Sequence, residues 1–158
     1  MNRAVFLDRD GTINIDFGYV HNPDRFVFID GVFEFCLEAV NNGFLIIVIT
    51  NQSGIERGYF SEAEYEYTTK YMVQEFARRG IQIADVFCCP SLSGFDRKPS
   101  PGLFIKAQNK YDIDMSHSIN IGDKDRDIQA GKVAGVGVNI LFTGEFPKIS
   151  EIVFPSKS

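Results

Sequence analysis

The stretch that decides the fold is VFLDRDGT, residues 5–12. The apolar run that begins it extends from Ala4, one residue earlier, to Leu7 and has the branched and large apolar side chains that are typical of a buried strand. Two aspartates, a glycine and a threonine follow without a gap. The pattern therefore predicts a core strand that carries a charged cluster at its carboxyl end.

The two aspartates of this stretch are Asp8 and Asp10. Side chains alternate along an extended strand, so we expect both on the same side, with Arg9 turned away. Two carboxylates held that close repel each other unless a cation lies between them, and Mg²⁺ prefers oxygen ligands. The alternative is a polar turn after a core strand, because Asp-Gly is common turn chemistry. The other polar residues of the chain have to decide between these two interpretations.

Length, charge and cysteine content narrow the class of protein. A chain of 158 residues fits one domain, residues 1–158. A net charge of −5 without a basic stripe argues against nucleic acid as a partner. No apolar stretch approaches the roughly 18 residues of a membrane span, and the start lacks the apolar core of a signal peptide. We expect a cytoplasmic monomer without membrane contact, whose three cysteines are reduced thiols.

Strand and helix patterns alternate along the rest of the chain. Predicted helices begin near Val32, after Ser61 in a capping box, and with Ser100 as N-cap and Pro101 as the first helical residue. Predicted strands cover residues 44–50, 84–89, 117–123 and 137–141. This order predicts an α/β fold, a three-layer, Rossmann-like parallel sheet with helices on both faces. Residues 13–28 lack a helical period, so we expect a small hairpin-like flap after the first strand and no large cap domain.

Polar side chains follow four of the predicted strands. They are Asp8 and Asp10, Thr50 and Asn51, Arg97 and Lys98, and Asp123 and Asp127. Ligands of parallel sheets bind outside the carboxyl ends of the strands, where these four pairs should meet. Taken singly, each has an ordinary explanation, such as a turn-capping threonine, a solvated lysine or a charge in the first turn of a helix. Their joint occurrence, in order, favours a common site.

Such a site has what phosphoryl transfer requires, namely positioning and charge neutralisation. Asp8, at the strand end, would attack phosphorus and form an aspartyl-phosphate. Asp10 would protonate the leaving oxygen and then activate water. Asp123 would complete the shell of a Mg²⁺ ion, and Thr50 and Lys98 would bind the phosphoryl oxygens.

Four segments, DRDGT, TNQSG, RKPSPG and GDKDRD, resemble in this order the motifs of the haloacid dehalogenase superfamily of phosphohydrolases. Up to Gly144 the chain resembles more closely the D-glycero-D-manno-heptose 1,7-bisphosphate 7-phosphatases and the histidinol-phosphate phosphatases. The resemblance implies that Asp8 is the nucleophile and Asp10 the acid and base. It implies that Asp8, the main-chain oxygen of Asp10, and Asp123 hold Mg²⁺, and that Thr50 and Lys98 stabilise the phosphoryl group.

The resemblance also implies a small phosphorylated sugar as substrate. The residues expected to touch it are Asp16, Phe17, Gly18, Tyr19, Asn51, Gln52, Ser53, Arg97 and Lys124. One departure from the family concerns the zinc loop that these enzymes commonly carry before the RKP motif. Here the segment is the short CCPSLSGFDRKP, in which Cys88, Cys89 and Asp96 are a poor substitute for about four N or S ligands. We therefore expect no structural zinc.

Three functions are compatible with these patterns. The first is a Mg²⁺-dependent phosphatase that acts on a heptose 1,7-bisphosphate at the 7-phosphate. The second is a histidinol-phosphate phosphatase or another hydrolase of small phosphate monoesters. The third is a phosphosugar-binding module without catalysis, against which the intact aspartates, Thr50 and Lys98 argue.

Overall fold

A computed structural model describes residues 1–156. The strands are β1 (Arg3–Leu7), β2 (Phe44–Asn51), β3 (Ile83–Cys89), β4 (Ile119–Gly122) and β5 (Val138–Leu141). The helices are α1 (Val32–Asn41), α2 (Glu62–Arg78), α3 (Gly102–Tyr111) and α4 (Asp125–Val133). Short 3-10 turns occupy Pro23–Arg25, Met115–His117 and Ile149–Glu151.

The five strands form one sheet in the order β3-β2-β1-β4-β5, and every pairing is parallel. The central strand, β1, is an unbroken apolar run from Ala4 to Leu7, where both of its faces are covered. Val5 and Leu7 pack in a core with α1 and α2, whereas Ala4 and Phe6 pack in a second core with α3. These two cores confirm the predicted three-layer α/β fold.

The beginning of α2 agrees with its sequence pattern. The Ser61 hydroxyl accepts a hydrogen bond from the Glu64 amide at 3.1 Å, and the Glu64 carboxylate accepts one from the Ser61 amide at 2.9 Å. These two bonds form the predicted capping box and satisfy amides that a helix start leaves without partners. The boundary of α2 could therefore be read from the sequence.

Two other boundaries differ from the prediction. Helix α3 begins at Gly102 with Pro101 at the cap position, so Ser100 is not the N-cap. A loop carbonyl replaces the expected side chain, because the Gly102 amide donates to the Phe95 oxygen at 2.9 Å. Strand β4 is shorter than predicted, since residues Met115–His117 form a 3-10 turn before it.

Residues 13–28 form the predicted flap beside the end of β1. Its base is antiparallel, with the Ile15 amide donating to the Val27 oxygen at 2.8 Å. Two ring contacts join the flap to the turn after β2. Tyr19 meets Tyr59 edge-on with centroids 4.7 Å apart, and His21 stacks on Phe60 at 5.0 Å. The flap is thus part of the wall of the site described below.

The chain after β5 packs against α1. Phe146 stacks on Phe35 with ring centroids 5.2 Å apart, and the Ile149 amide donates to the Glu38 carboxylate at 3.0 Å. Within residues 1–156, no helix combines the length and the apolar character that crossing a bilayer requires.

Candidate active site

A cavity of about 340 Å³ opens at the carboxyl ends of the strands. Twelve of the residues predicted for the site line it, namely Asp8, Asp10, Asp16, Gly18, Tyr19, Asn51, Gln52, Ser53, Arg97, Lys98, Asp123 and Lys124. Phe17 and Thr50 do not line it, whereas Asp127, Arg57 and Arg126 do. Seven of the eight residues in the four polar pairs thus meet in one cavity, and Thr50 is the exception.

Lys98 lies at the bottom of this cavity with its side chain only 2% exposed. Its ammonium lies 2.9 Å from Asp8 Oδ1 and 2.7 Å from Asp127 Oδ1, and it donates to the Ile49 carbonyl oxygen at 2.7 Å. Burial alone would lower the pKa of Lys98, but the two carboxylates outweigh it and the pKa lies above its ordinary value. We call Asp8, Lys98 and Asp127 the floor of the cavity.

Asp127 has a defined place in this floor, which its sequence position left open. One carboxylate oxygen contacts Lys98, and the other accepts the Lys124 amide at 3.0 Å. A Cβ atom at residue 122 would lie 2.5 Å from this carboxylate, so glycine is needed there for the close approach. Asp127 therefore caps α4 and positions Lys98 at the same time.

Asp8 is surrounded by more negative than positive charge. Its burial raises its pKa well above the ordinary value, and the charges of Asp127 and Asp123 raise it further, although Lys98 opposes them. A single ammonium does not balance three neighbouring carboxylates. Asp8, Asp123 and Asp127 with the Lys98 ammonium carry a formal charge of −2, which one divalent cation would offset.

The structure identifies where a metal ion fits. Oxygen atoms of Asp8, Asp123 and Asp127 lie within 4.8 Å of one another. Asp123 Oδ1 is buried and has no hydrogen-bond partner within residues 1–156. Gly11 has φ +90°, and a Cβ there would lie 2.1 Å from Asp123 Oδ2, so the turn after β1 needs glycine to admit this carboxylate. A hard divalent cation fits this donor set, because it would satisfy the free oxygen and offset the excess charge.

Asp10 is held differently from the predicted arrangement. Its carboxylate accepts hydrogen bonds from Arg9 at 3.0 and 3.2 Å, from Asn14 at 3.0 Å and from Gln52 at 2.8 Å. The expectation that Arg9 turns away was wrong, because the chain leaves the extended conformation after Leu7. Arg9 is 1% exposed and also donates to the Val20 carbonyl oxygen, so it ties Asp10 to the flap.

Thr50 lies beneath the cavity surface. Its hydroxyl accepts a hydrogen bond from the Gln52 side-chain nitrogen Nε2 at 2.9 Å, and Thr50 is only 1% exposed. The same amide nitrogen of Gln52 donates to Asp10, so it bridges the two predicted catalytic residues. Contact between Thr50 and a phosphoryl group would require this amide to move.

The backbone of Lys98 is fixed to the end of β2. The Lys98 backbone amide donates to Asn51 Oδ1, and the Asn51 side-chain nitrogen Nδ2 donates to the Lys98 carbonyl oxygen, both at 3.1 Å. Asn51 thereby positions the loop that carries the lysine.

Four cationic side chains stand around the opening, and we call them the rim. They are Arg57, Arg97, Lys124 and Arg126. Arg57 and Arg126 were not predicted for the site, although their sequence positions gave a signal. Arg57 lies in the turn after β2, and Arg126 is two residues from Lys124.

Phe17 lies outside this cavity, half-exposed on the flap, where its ring faces the Arg25 guanidinium at 5.4 Å. Its neighbours Asp16, Gly18 and Tyr19 face the opening instead. The flap thus contributes three of its four predicted residues to the cavity wall.

Known proteins resemble this chain over most of its length. Residues 95–150 match the HAD-hydrolase-like family. A D-glycero-beta-D-manno-heptose-1,7-bisphosphate 7-phosphatase of Yersinia pestis is 42% identical over 94% of this chain and 84% of that enzyme. A D-glycero-alpha-D-manno-heptose-1,7-bisphosphate 7-phosphatase of Campylobacter jejuni is 45% identical over 90% of this chain and 84% of its own.

Solved structures give the same result. A D,D-heptose 1,7-bisphosphate phosphatase of B. bronchiseptica, complexed with magnesium and phosphate, superposes with a TM-score of 0.80 at 29% identity, covering 86% of this chain and 78% of that chain. A protein of Mesorhizobium loti described as HAD-like phosphatase gives 0.83 at 33% identity, covering 89% and 72%. The chain therefore belongs to the HAD-like phosphatases, in the family that contains these heptose-bisphosphate enzymes.

Proposed function

We propose that this protein is a Mg²⁺-dependent phosphatase that removes the 7-phosphate of D-glycero-D-manno-heptose 1,7-bisphosphate. The observation that carries the proposal is the pairing of a buried, ion-paired floor with a rim of four cations in one cavity. The floor suits the phosphoryl group that is cleaved, and the rim suits a second anionic group. Relatives at 42% and 45% identity bear the name of this activity.

Asp8 would act as the nucleophile. Its carboxylate attacks phosphorus, the P–O bond to the sugar breaks, and the sugar oxygen takes a proton from Asp10. Water then attacks the phosphorus of the aspartyl-phosphate and gives its proton to Asp10. The bond between Asp8 and phosphorus breaks, so phosphate is released and the Asp8 carboxylate is restored. The hydrogen bonds from Arg9, Asn14 and Gln52 fix the Asp10 carboxyl for both proton transfers.

Mg²⁺ would be held by Asp8 and Asp123, with the main-chain oxygen of Asp10 as the further ligand that the family resemblance implies. Asp127 is close to them, but its two oxygens already contact the Lys98 ammonium and the Lys124 amide. When bound, Mg²⁺ would neutralise charge on the phosphoryl oxygens. Lys98 supplies a fixed positive charge to the same group, because Asp127 and the Ile49 carbonyl hold its ammonium in place. The Thr50 hydroxyl is the remaining predicted ligand of a phosphoryl oxygen.

The charge of the cavity favours a bisphosphate. Five acidic and five basic side chains line it, so it is formally neutral in a chain of net charge −5. A bound divalent cation would make it positive. A monophosphate that occupies the floor leaves the rim without an anionic partner, whereas a second phosphate gives Arg97 and Lys124 one.

A structural zinc ion is not part of this proposal. Burial raises the pKa of the Cys88 thiol to about 11, which opposes the thiolate form that zinc requires. The Cys89 thiol, also buried, donates to the Ser91 carbonyl oxygen at 3.8 Å. Elemental analysis of active protein should find substoichiometric zinc, and one tightly held zinc per chain would overturn this part.

The function is tested with purified protein and four substrates, namely the α and β anomers of heptose 1,7-bisphosphate, heptose 7-phosphate and histidinol phosphate. We expect Mg²⁺-dependent phosphate release that is fastest with one of the bisphosphates and is abolished by chelation. Faster hydrolysis of histidinol phosphate would replace the proposed substrate. Tight binding of the bisphosphate without phosphate release would identify a binding module instead.

A further inference from the structure

We propose that Arg126 is a further specificity-determining residue, which binds the phosphate group that is not cleaved. This inference rests on the proposed function, because it needs a substrate with two phosphates. Arg126 lines the cavity, is exposed, and has no hydrogen bond or ion pair within residues 1–156. Its guanidinium is therefore free to take a ligand.

The other rim cations already have oxygen neighbours within the chain. Arg97 donates to the Ser91 carbonyl oxygen at 3.2 Å, Arg57 donates to the Ser53 hydroxyl at 3.3 Å, and Lys124 lies 3.7 Å from Asp123 Oδ2. Lys98 is committed to its three acceptors in the floor. Among the rim residues Arg126 alone lacks an acceptor in the described chain. Its planar fork of donors matches the oxygens of a phosphate.

The position of Arg126 in α4 is not explained by helix stability. It is the second residue of α4, two residues after the cap residue Lys124. The partial positive charge at the beginning of a helix disfavours cations and favours carboxylates such as Asp125 and Asp127. The helix dipole therefore disfavours the Arg126 guanidinium at this position unless an anion lies beside it. An anionic substrate group at the opening would supply that anion.

The expected contribution of Arg126 is to binding. The group that it contacts does not change charge during cleavage, so the contact is equally strong in the ground state and the transition state. Loss of the contact should raise KM for a bisphosphate and leave kcat nearly unchanged. A substrate with a single phosphate has nothing for Arg126 to hold and should be unaffected.

The test compares Arg126→Ala with wild type on heptose 1,7-bisphosphate, heptose 7-phosphate and p-nitrophenyl phosphate. For the bisphosphate, kcat/KM should fall about 10- to 100-fold, mainly through KM, while the other two substrates change less than about twofold. Arg126→Lys should restore part of the loss, because it keeps the charge but not the fork. Lys132→Ala, an exposed cation in the last turn of α4 and outside the cavity, is the matched control and should leave all three substrates unaffected.

A measurement of Tm separates this function from a structural role. Arg126→Ala should unfold at the same temperature as wild type or above it, since a cation is removed from the positive end of the helix. If wild type prefers the bisphosphate and Arg126→Ala keeps that preference, the inference about Arg126 is wrong and the proposed function stands. If wild type has no preference for the bisphosphate over the 7-phosphate, the proposed substrate fails and the role of Arg126 fails with it. Equal losses on p-nitrophenyl phosphate would place Arg126 in the chemical step and also overturn the inference.

Discussion

The floor and the rim of the cavity both carry cationic side chains, but they differ in burial and in the number of acceptors that these side chains contact. In the floor, Lys98 is 2% exposed and three acceptors fix its ammonium. In the rim, Arg126 is solvated and has no acceptor within residues 1–156. Burying charges is costly, so a buried ion pair suits a place where fixed geometry matters, such as the proposed position of the phosphoryl group that is cleaved. The rim keeps its charges in contact with water, and in the proposed function they select among substrates.

The largest effect is expected from Asp8→Asn, a change in the floor of the cavity. This change removes the predicted nucleophile and one metal ligand with little change in volume, so kcat should fall by at least about 1,000-fold on every phosphate ester. Single-turnover assays on heptose bisphosphate and p-nitrophenyl phosphate measure the loss, and the circular dichroism spectrum checks the fold. Retention of more than a few per cent of the rate would refute the covalent mechanism.

Arg97→Ala tests whether a rim residue discriminates between substrates. Its guanidinium can engage the second phosphate or sugar hydroxyls, so kcat/KM on the bisphosphate should fall by one to three orders of magnitude, roughly 1.4 to 4 kcal/mol. Hydrolysis of p-nitrophenyl phosphate should change little, because this substrate has neither a second phosphate nor a sugar hydroxyl for Arg97 to bind. Equal losses on the two substrates would show that Arg97 acts in the chemical step. Unchanged rates on both would show that Arg97 does not bind the substrate.

Tyr59→Ala should give the smallest effect. Tyr59 does not line the cavity, but its ring supports Tyr19, which does. Because such ring pairs contribute about 0.5–1.5 kcal/mol, we expect KM for the sugar bisphosphate to rise about two- to tenfold, with kcat on p-nitrophenyl phosphate unchanged. Tyr67→Ala is the control, since Tyr67 is an exposed tyrosine of α2 without a ring contact within residues 1–156. A similar KM for both variants would show that Tyr59 does not support Tyr19.

The sequence was sufficient to predict a parallel sheet with helices on both faces and the edge at which the site residues meet, but it did not predict the strand order. Parallel strands bring their carboxyl ends to one edge, so residues far apart in the chain, such as Asp8 and Asp123, could be placed together before any contact was known. The capping box at Ser61 similarly fixed the beginning of α2, because its hydrogen bonds are local.

The pairwise contacts of the site could not be predicted in this way. Arg9 was placed on the wrong side because strand alternation does not hold in a turn, where the Arg9 carbonyl accepts the amides of Thr12, Ile13 and Asn14. The ion pair of Asp127 with Lys98 joins the first turn of α4 to the loop before α3, and only the folded chain determines the distance between them. Periodicity identifies the side of an element that faces the core, but it does not select partners between loops.

The reciprocal hydrogen bonds between Asn51 and the Lys98 backbone bear on how this scaffold can be remodelled. Both bonds hold the Lys98 backbone directly to Asn51, at the end of β2. A longer loop before Lys98 should therefore leave the position of this residue unchanged. Doubling the length of a flexible loop costs only about 0.6 kcal/mol of closure entropy. A loop inserted at residues 91–94 should therefore change the shape of the cavity entrance without moving the Lys98 ammonium.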